Sequence, residues 1–381
     1  MVAHPIPSSI FSFDMTQVFN KLVRWSLVVA CFLGTIELAC RIEQWVLYDA
    51  PVLGMYTYDT ALFTTDEYGI KGKPNGGYEK WRLNSLGFRG PEMSIEKQNG
   101  TLRIVCIGAS ETFGLYEGKD NEWPRQLEQK LKAQGIEAEV INAAIAGMSL
   151  SQRTIHLQQR LLQLRPDVVV MMLEYGSYAG LTPERLRTQR STRAVLPDHQ
   201  GIIEQIKSLR APVKFKEVAI PMLSPLVQRW LAKWEKAVKL EVRKKDIGER
   251  FRSFQHIMPF EVEVFTQDLD HLHHVTQATG SRLVLLSPAM WMTGENLSSM
   301  YLSWPYIDES WWREARVRMG EEAREFARTE HIQYLDLSQA IKGSEAGWML
   351  DMLHFSDDGA WQVAQYVSHA IANKEAGDLA H

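Results

Sequence analysis

The chain has 381 residues, 45% of them hydrophobic, which is enough for one large domain with a real core and some appendages. Its formal net charge of -4 speaks against general nucleic-acid binding. Three cysteines (Cys31 and Cys40 in an apolar N-terminal segment, Cys106 in a predicted buried strand) do not make a disulfide framework.

Residues 1–20 read as a short disordered tail that stays in the cytoplasm. From Trp25 to Cys40 the chain runs WSLVVACFLGTIELAC between Arg24 and Arg41. That run is shorter than the roughly 20 residues of a membrane span. Arginine stems can snorkel to the interface, and Leu22, Val23, Ile42, Trp45, Val46 and Leu47 lengthen the apolar stretch. Glu37 is a cost, but it lies near one end. The expectation is a single-pass signal anchor over residues 21–42. Lys21 and Arg24 precede it, whereas Arg41 is followed by Glu43 and Asp49. The positive-inside rule then places the large domain outside the cytoplasm. Val28-Val29-Ala30-Cys31 is similar to a lipoprotein cleavage box, but apolar sequence continues past Cys31, so retention is expected.

Residues 43–100, rich in Tyr, Gly and Asp and without a long helical period, predict a lead-in of short strands and turns. It ends in a turn-rich element, Asn84-Ser85-Leu86-Gly87-Phe88-Arg89-Gly90. Residues 101–373 then alternate strands and helices. Leu102–Ile107 is an apolar, β-branched run, hence a buried strand. Asn121 is positioned to cap a helix carrying Trp123, Leu127 and Leu131. Glu139–Asn142 predicts a second strand, Leu150–Leu164 a helix, and Val168–Leu173 a third strand. Arg282–Leu286 and Ile332–Leu337 supply two more. The last helix has Ser356 as N-cap and Ala360, Val363, Ala364, Val367 and Ile371 on one face. A tail of 374–381 follows. This order implies an α/β fold: a three-layer sandwich with a central parallel sheet, whose ligands bind at the carboxyl ends of the strands.

A stretch of about 108 residues separates the third strand from the fourth. Within it, residues 181–260 carry 17 Lys/Arg against 8 Asp/Glu, about +9, which leaves the remainder near -13. Pro225–Lys245 reads as a basic amphipathic helix with Leu226, Trp230, Leu231, Trp234 and Val238 in one stripe. The stripe is expected to pack an inserted helix onto the core; the alternative is contact with anionic lipid headgroups or an acidic glycan. In Asp270-His271-Leu272-His273-His274, two histidines share a helical face. Phe265, Leu269 and Leu272 already define a core stripe there and no fourth ligand is evident, so neither a metal nor a cofactor is expected. Trp291, Trp304, Trp311 and Trp312 cluster after the fourth strand and are either loop filling or a surface for sugar rings.

The chemistry is carried by two short segments at opposite ends of the core. Gly108-Ala109-Ser110-Glu111-Thr112 directly follows the first strand, and a serine on a sharp strand-to-helix turn is an exposed nucleophile candidate. Asp351-Met352-Leu353-His354 directly precedes the last helix. An imidazole such as His354 can take the serine proton near neutral pH, and Asp351, three residues away on the same loop, can orient the ring.

On these segments the chain resembles the SGNH (GDSL-type) hydrolases over about residues 101–372. Gly108–Thr112 is similar to the first family block, Gly-Asp-Ser-x-Thr/Ser, with Ala109 in place of the aspartate. Asn142–Gly147 fits the second block, and Asp351 and His354 fit the last, Asp-x-x-His. The anchor and the Asn-x-x-Gly-Phe-Arg-Gly element look like a bacterial inner-membrane subgroup found with cell-surface polysaccharide genes. The resemblance implies a flavodoxin-like sheet. It implies Ser110 as nucleophile, His354 as base, Asp351 as its partner, and the Ser110 and Gly147 N–H groups as oxyanion donors. It also implies a periplasmic serine esterase acting on O-acyl, perhaps acetyl, esters of a cell-envelope polysaccharide or other glycan, in company with envelope polysaccharide machinery.

One block departs from the pattern. Where the family has Gly-x-Asn-Asp, this chain has Glu174-Tyr175-Gly176-Ser177-Tyr178, with no amide near Gly176 or Tyr178. Ser177 or the Tyr178 hydroxyl is the candidate replacement donor and substrate contact. Losing an oxyanion donor typically costs about 100- to 1000-fold in rate. An O-acyltransferase on the same triad and a non-catalytic polysaccharide-binding or assembly protein therefore stay open as alternatives.

Overall fold

The computed structural model describes residues 15–54, 56–186 and 209–378. The chain divides into two compact units, one of Met1–Tyr56 with His199–Ser224, the other of Thr57–Asp198 with Pro225–His381.

In the first unit, helix α1 spans Met15–Tyr48. Phe19–Tyr48 is long and apolar enough to cross a membrane, and none of its most apolar window is buried against protein. Part of the sequence reading needs correction here. The helix begins six residues inside the expected tail and runs six past the expected end of the anchor, because Trp45, Val46 and Leu47 continue its apolar surface. Helix α6, Ala211–Ala219, belongs to the same unit. The backbone N–H groups of Arg210 and Ala211 donate to Glu37 Oε2 at 2.7 and 2.8 Å, and Arg41 Nε lies 2.8 Å from Oε1. The one carboxylate in the apolar run is thus satisfied by a helix N-terminus and a neighbouring cation.

The second unit opens with α2 (Tyr58–Leu62) and two hairpins, β1–β2 (Phe63–Asp66, Gly69–Gly72) and β3–β4 (Gly77–Tyr78, Trp81–Arg82). Five parallel strands follow: β5 (Leu102–Ile107), β6 (Ala138–Asn142), β7 (Val168–Met172), β8 (Arg282–Leu286) and β9 (Gln333–Leu335). Their order is β6-β5-β7-β8-β9. That is the flavodoxin-like arrangement, with its topological switch point between β5 and β7. All five predicted strands are present, with ends shifted by a residue or two.

Side-chain alternation along the strands divides the interior into two layers. Ile104, Cys106, Val168 and Val170 face a cluster with Trp123, Leu127 and Leu131 of α4 (Trp123–Ala133), and with Val363, Ala364, Val367 and Ile371 of α13 (Asp357–Asp378). Val105, Ile107, Val169 and Met171 face the opposite cluster. Its helices are α5 (Leu150–His156, continued by a π turn and a 3₁₀ turn to Leu164), α8 (Pro259–Gln277) and α10 (Glu309–Thr329). The expected His271 stretch lies on α8, where Phe265, Leu269 and Leu272 are buried as read. Asn121 does not cap α4; Glu122 holds that position, and Asn121 Nδ2 donates to Asp357 instead. Ser356 does cap α13, accepting from Gly359 N at 3.1 Å.

Of the basic insertion, residues 187–208 lie outside the described residues; α6 and α7 (Pro225–Ile247) carry most of the rest. Helices α9 (Gly294–Ser303), α11 (Leu337–Ala340) and α12 (Glu345–Trp348) complete the unit.

Candidate active site

Ser110 opens helix α3 (Ser110–Phe113), three residues beyond the end of β5. A Cβ on Gly108 would sit 2.0 Å from Thr112 Oγ1, so only glycine lets a helix start this close to its strand. Ala109 N–H donates to Glu111 Oε1 at 2.8 Å, and Phe113 N–H to Ala109 O at 2.8 Å. The far end of α3 is clamped by the lead-in. Buried Arg89 donates to the Phe113 and Gly114 carbonyls and pairs with Glu122 at 3.0 Å. Asn142 Nδ2 donates to Thr112 O at 3.1 Å. The Asn84–Gly90 element therefore holds the serine turn through its arginine.

Asp351 and His354 lie on the loop between α12 and α13. Leu350 N–H donates to His354 O at 2.8 Å, and Met349 pairs with Phe355, closing the loop on itself. Asp351 Oδ1 accepts from the Leu353 and His354 N–H groups at 2.8 and 2.9 Å. Its two oxygens lie 2.9 and 2.8 Å from His354 Nδ1, and His354 Nε2 lies 2.8 Å from Ser110 Oγ. With Nδ1–H donating to the carboxylate, Nε2 carries the lone pair that accepts the serine proton. Burial disfavours the imidazolium. The Asp351 hydrogen bond and charge, joined by Glu111 and Glu117, outweigh it and raise the His354 pKa above its usual value. For Asp351, burial is outweighed by His354 and two backbone N–H groups, and its pKa is lowered.

Three neighbours belong to no motif in the sequence. The Tyr116 ring meets the His354 ring edge-on, centroids 4.7 Å apart. Glu117 is buried, which pushes its pKa up to about 7 against the partial opposition of Arg89 and His354. Arg153 is fully buried on α5; its Nε donates to Met148 O at 3.0 Å and its Nη1 to Met172 O. Its Nη2 lies 3.9 Å from Glu111 and has no hydrogen-bond partner among the described residues. One guanidinium thus ties the loop after β6 to the end of β7 and faces Glu111 on α3. Its only trace in sequence is a basic residue on the face that Leu150, Leu157 and Leu161 bury.

Gly147 has a φ of +81° in the turn closed by Met148 N–H to Ile145 O, the third position of a turn that favours glycine. Among the described residues no protein oxygen accepts from the Ser110 or Gly147 N–H, and both residues line one cavity of about 160 Å³. Tyr175, Met290, Trp304 and Trp312 line it too. Of the four clustered tryptophans, Trp304 and Trp312 reach this cavity, with rings 5.6 Å apart. Trp311 is buried, with Nε1 donating to Glu261 at 3.0 Å, and Trp291 packs on the opposite layer. A groove of about 930 Å³ shares Gly147, Met148, Ser149 and Ser177 with the cavity and is also lined by Tyr68, Gln152 and Gln267. A different cavity, of about 350 Å³ beneath residues 84–103, contains none of Ser110, Asp351 and His354.

The loop after β7 is organised inwardly. The Glu174 carboxylate accepts from Ser177 N–H at 3.1 Å, from Ser177 Oγ–H, and from Leu150 N–H at 3.3 Å. Tyr178 Oη donates to Asp268 Oδ2 at 2.8 Å, and burial raises the phenol pKa well above normal. Both hydroxyl protons suggested as replacement donors are therefore engaged elsewhere. A Cβ on Gly176 would sit 2.7 Å from Trp312, whose indole fills the space an asparagine side chain needs.

No family model matches the chain, and no curated protein matches it. Solved structures do. A lipase/acylhydrolase from Enterococcus faecalis is 16% identical over 71% of this chain and 96% of its own, with a TM-score of 0.41. An acetyl xylan esterase is 14% identical, with 71% and 99% covered and a TM-score of 0.39. A GDSL-like lipase from Bacteroides thetaiotaomicron is 11% identical, with 72% and 89% covered and a TM-score of 0.37. At these values the likeness is remote, and the functional reading rests on the site's own geometry.

Proposed function

We propose that this protein is a serine esterase of SGNH type, held at a bacterial inner membrane by α1 with its second unit outside the cytoplasm, that removes short acyl groups from hydroxyls of an envelope glycan. The observation that carries the reading is the relay from Ser110 Oγ through His354 to Asp351, with a contact of 2.8 Å at the serine.

In this mechanism Ser110 Oγ attacks the ester carbonyl as His354 Nε2 takes its proton. The carbonyl oxygen gains negative charge and is held by the Ser110 and Gly147 N–H groups. Asp351 stabilises the imidazolium, which then protonates the departing sugar oxygen as the C–O bond breaks. Water, deprotonated by the same histidine, attacks the acyl-serine; the bond from the acyl carbon to Ser110 Oγ breaks, the imidazolium returns its proton to Oγ, and the carboxylic acid leaves. A sugar hydroxyl in place of that water would make the protein an acyltransferase.

Site dimensions support a short acyl group. The cavity of about 160 Å³ at Ser110 is well below the roughly 300–1,000 Å³ of pockets for drug-sized ligands. The adjoining groove of about 930 Å³ has room for the alcohol side of the ester. Lys21 and Arg24 before the apolar run support the proposed orientation.

The test is incubation of the full chain in detergent with a serine-directed phosphonate, followed by intact mass. One adduct that disappears in Ser110→Ala supports the reading. Absence of an adduct on folded wild type assigns the fold to a binding role. Release of acetate from an acetylated oligosaccharide, against transfer to an added acceptor sugar, separates esterase from transferase. Protease accessibility of the two termini in intact cells tests orientation, and a cytoplasmic C-terminus overturns it.

A further inference from the structure

Helix α7 has two unlike faces. One packs inward: Lys236, Leu240, Arg243 and Ile247 are partly buried, Leu240 lies against the apolar core, and the helix contacts α9. The stripe Leu226, Trp230, Trp234, Val238 and Val242 lies on the other. These side chains are 75, 63, 57, 42 and 55% exposed. This corrects the expectation that the stripe packs an insertion onto the core: of the residues read in it, only Leu231 is partly buried. Residues four apart advance about 40° around a helix, so the five form one slowly winding band about 24 Å long. Soluble surfaces rarely leave a band of this kind uncovered.

We infer that this face of α7 lies in the anionic headgroup layer of the membrane that α1 crosses. The inference rests on the anchor reading above. Three observations select lipid over a protein partner. The helix carries seven Lys/Arg against three Asp/Glu, and Arg229, Lys233, Lys239 and Lys245 are exposed, which complements anionic headgroups. Two exposed tryptophans in an amphipathic, basic helix are the composition of an interfacial segment. The chain just before α7 is also tied to the anchor. Glu37 receives the N-terminus of α6, Lys214 pairs with Glu43 at 2.9 Å, and only residues 220–224 separate α6 from α7. Phe215 of α6 and Met222 in that connection are themselves 74 and 82% exposed.

The test places the full chain in nanodiscs of phosphatidylcholine, with or without phosphatidylglycerol, and measures quenching of tryptophan fluorescence by brominated acyl chains. Trp25 and Trp45 on α1 report the anchor; Trp230 and Trp234 report α7. The Trp230→Ser/Trp234→Ser variant is expected to lose roughly half of the wild-type quench, and the lost part is expected to grow with phosphatidylglycerol. Equal quenching of variant and wild type overturns the inference while the anchor stands. Absence of all lipid quenching overturns the anchor reading and this inference with it. A lost part that does not respond to phosphatidylglycerol overturns the anionic-headgroup assignment. Unquenched α7 tryptophans in a chain that elutes as a dimer give the face to a second copy.

Discussion

The loops after β5 and β7 stand on either side of the switch point of one sheet, yet they use their polar groups in opposite ways. After β5, the backbone polar groups of the turn are held by Glu111, Arg89 and Asn142, which leaves Ser110 Oγ directed at His354. After β7, Glu174 gathers the Ser177 hydroxyl and two N–H groups, and Tyr178 turns to Asp268. The first loop spends its scaffold on exposing one group; the second satisfies itself and offers the site little beyond its shape. On the proposed reading, Ser110 has its base and the partner of that base in place, while the oxyanion site has two backbone donors.

The largest effects are expected on the first side of this comparison. Ser110→Ala and His354→Ala should each lower kcat for a short-chain aryl ester by about 10⁴-fold or more, with little change in Tm for the serine variant. A variant that keeps activity within tenfold would mean that another group is the nucleophile or base. Asp351→Asn should cost about 10²- to 10⁴-fold, because the ring loses both its orientation and the partner of its positive form.

The pH profile carries a sign that can be checked. His354 must be neutral to act as base, and its pKa is raised, so kcat/KM should fall with acid at a midpoint above the ordinary 6.5. In Asp351→Asn that midpoint should drop, since burial is then opposed only by Glu111 and Glu117. Stability runs the other way. The His354 contribution is full below 6.5 and is lost as pH rises through its raised folded value. The Asp351 contribution is present above 3.8 and is lost as pH falls through its lowered one. The catalytic loop should be held most firmly on the acid side of the activity optimum, which hydrogen exchange of residues 349–356 at pH 5 and 8 can measure.

Between the two loops lies Arg153. Arg153→Met should destabilise the protein by about 3 kcal/mol, since it removes charge-assisted bonds to two buried carbonyls. On the β7 side, Gly176→Asn tests why the asparagine is missing. Its Cβ meets Trp312, so overpacking of about 1–3 kcal/mol and no gain in kcat are expected, read by Tm and by ester hydrolysis. A gain in kcat would show that the loop can still accept an amide donor.

The legible parts of this molecule were those set by short-range rules. Ser110, Asp351 and His354 were readable because a strand-to-helix turn and a three-residue loop fix each segment locally, and buried strands such as Val168–Met172 announce themselves by composition. Arg89, Glu117 and Arg153 were not, because their roles come from burial and partners distant in sequence. The α7 stripe was readable as a pattern but not as an exposed face. Periodicity says which residues share a side, and only tertiary packing says which side is covered.

The smallest expected effect sharpens the comparison most. Ser177 lines both the cavity and the groove, and by position it is the natural replacement for the missing amide. Its proton goes to Glu174, however, and a carboxylate is a stronger acceptor than an ester carbonyl. Ser177→Ala leaves Glu174 two N–H partners and removes nothing from the carbonyl, so kcat should change less than about threefold. A loss near the roughly 100-fold of a missing oxyanion donor would mean that the hydroxyl swings from Glu174 to substrate on binding. The loop after β7 would then be a reserve donor rather than a closed one.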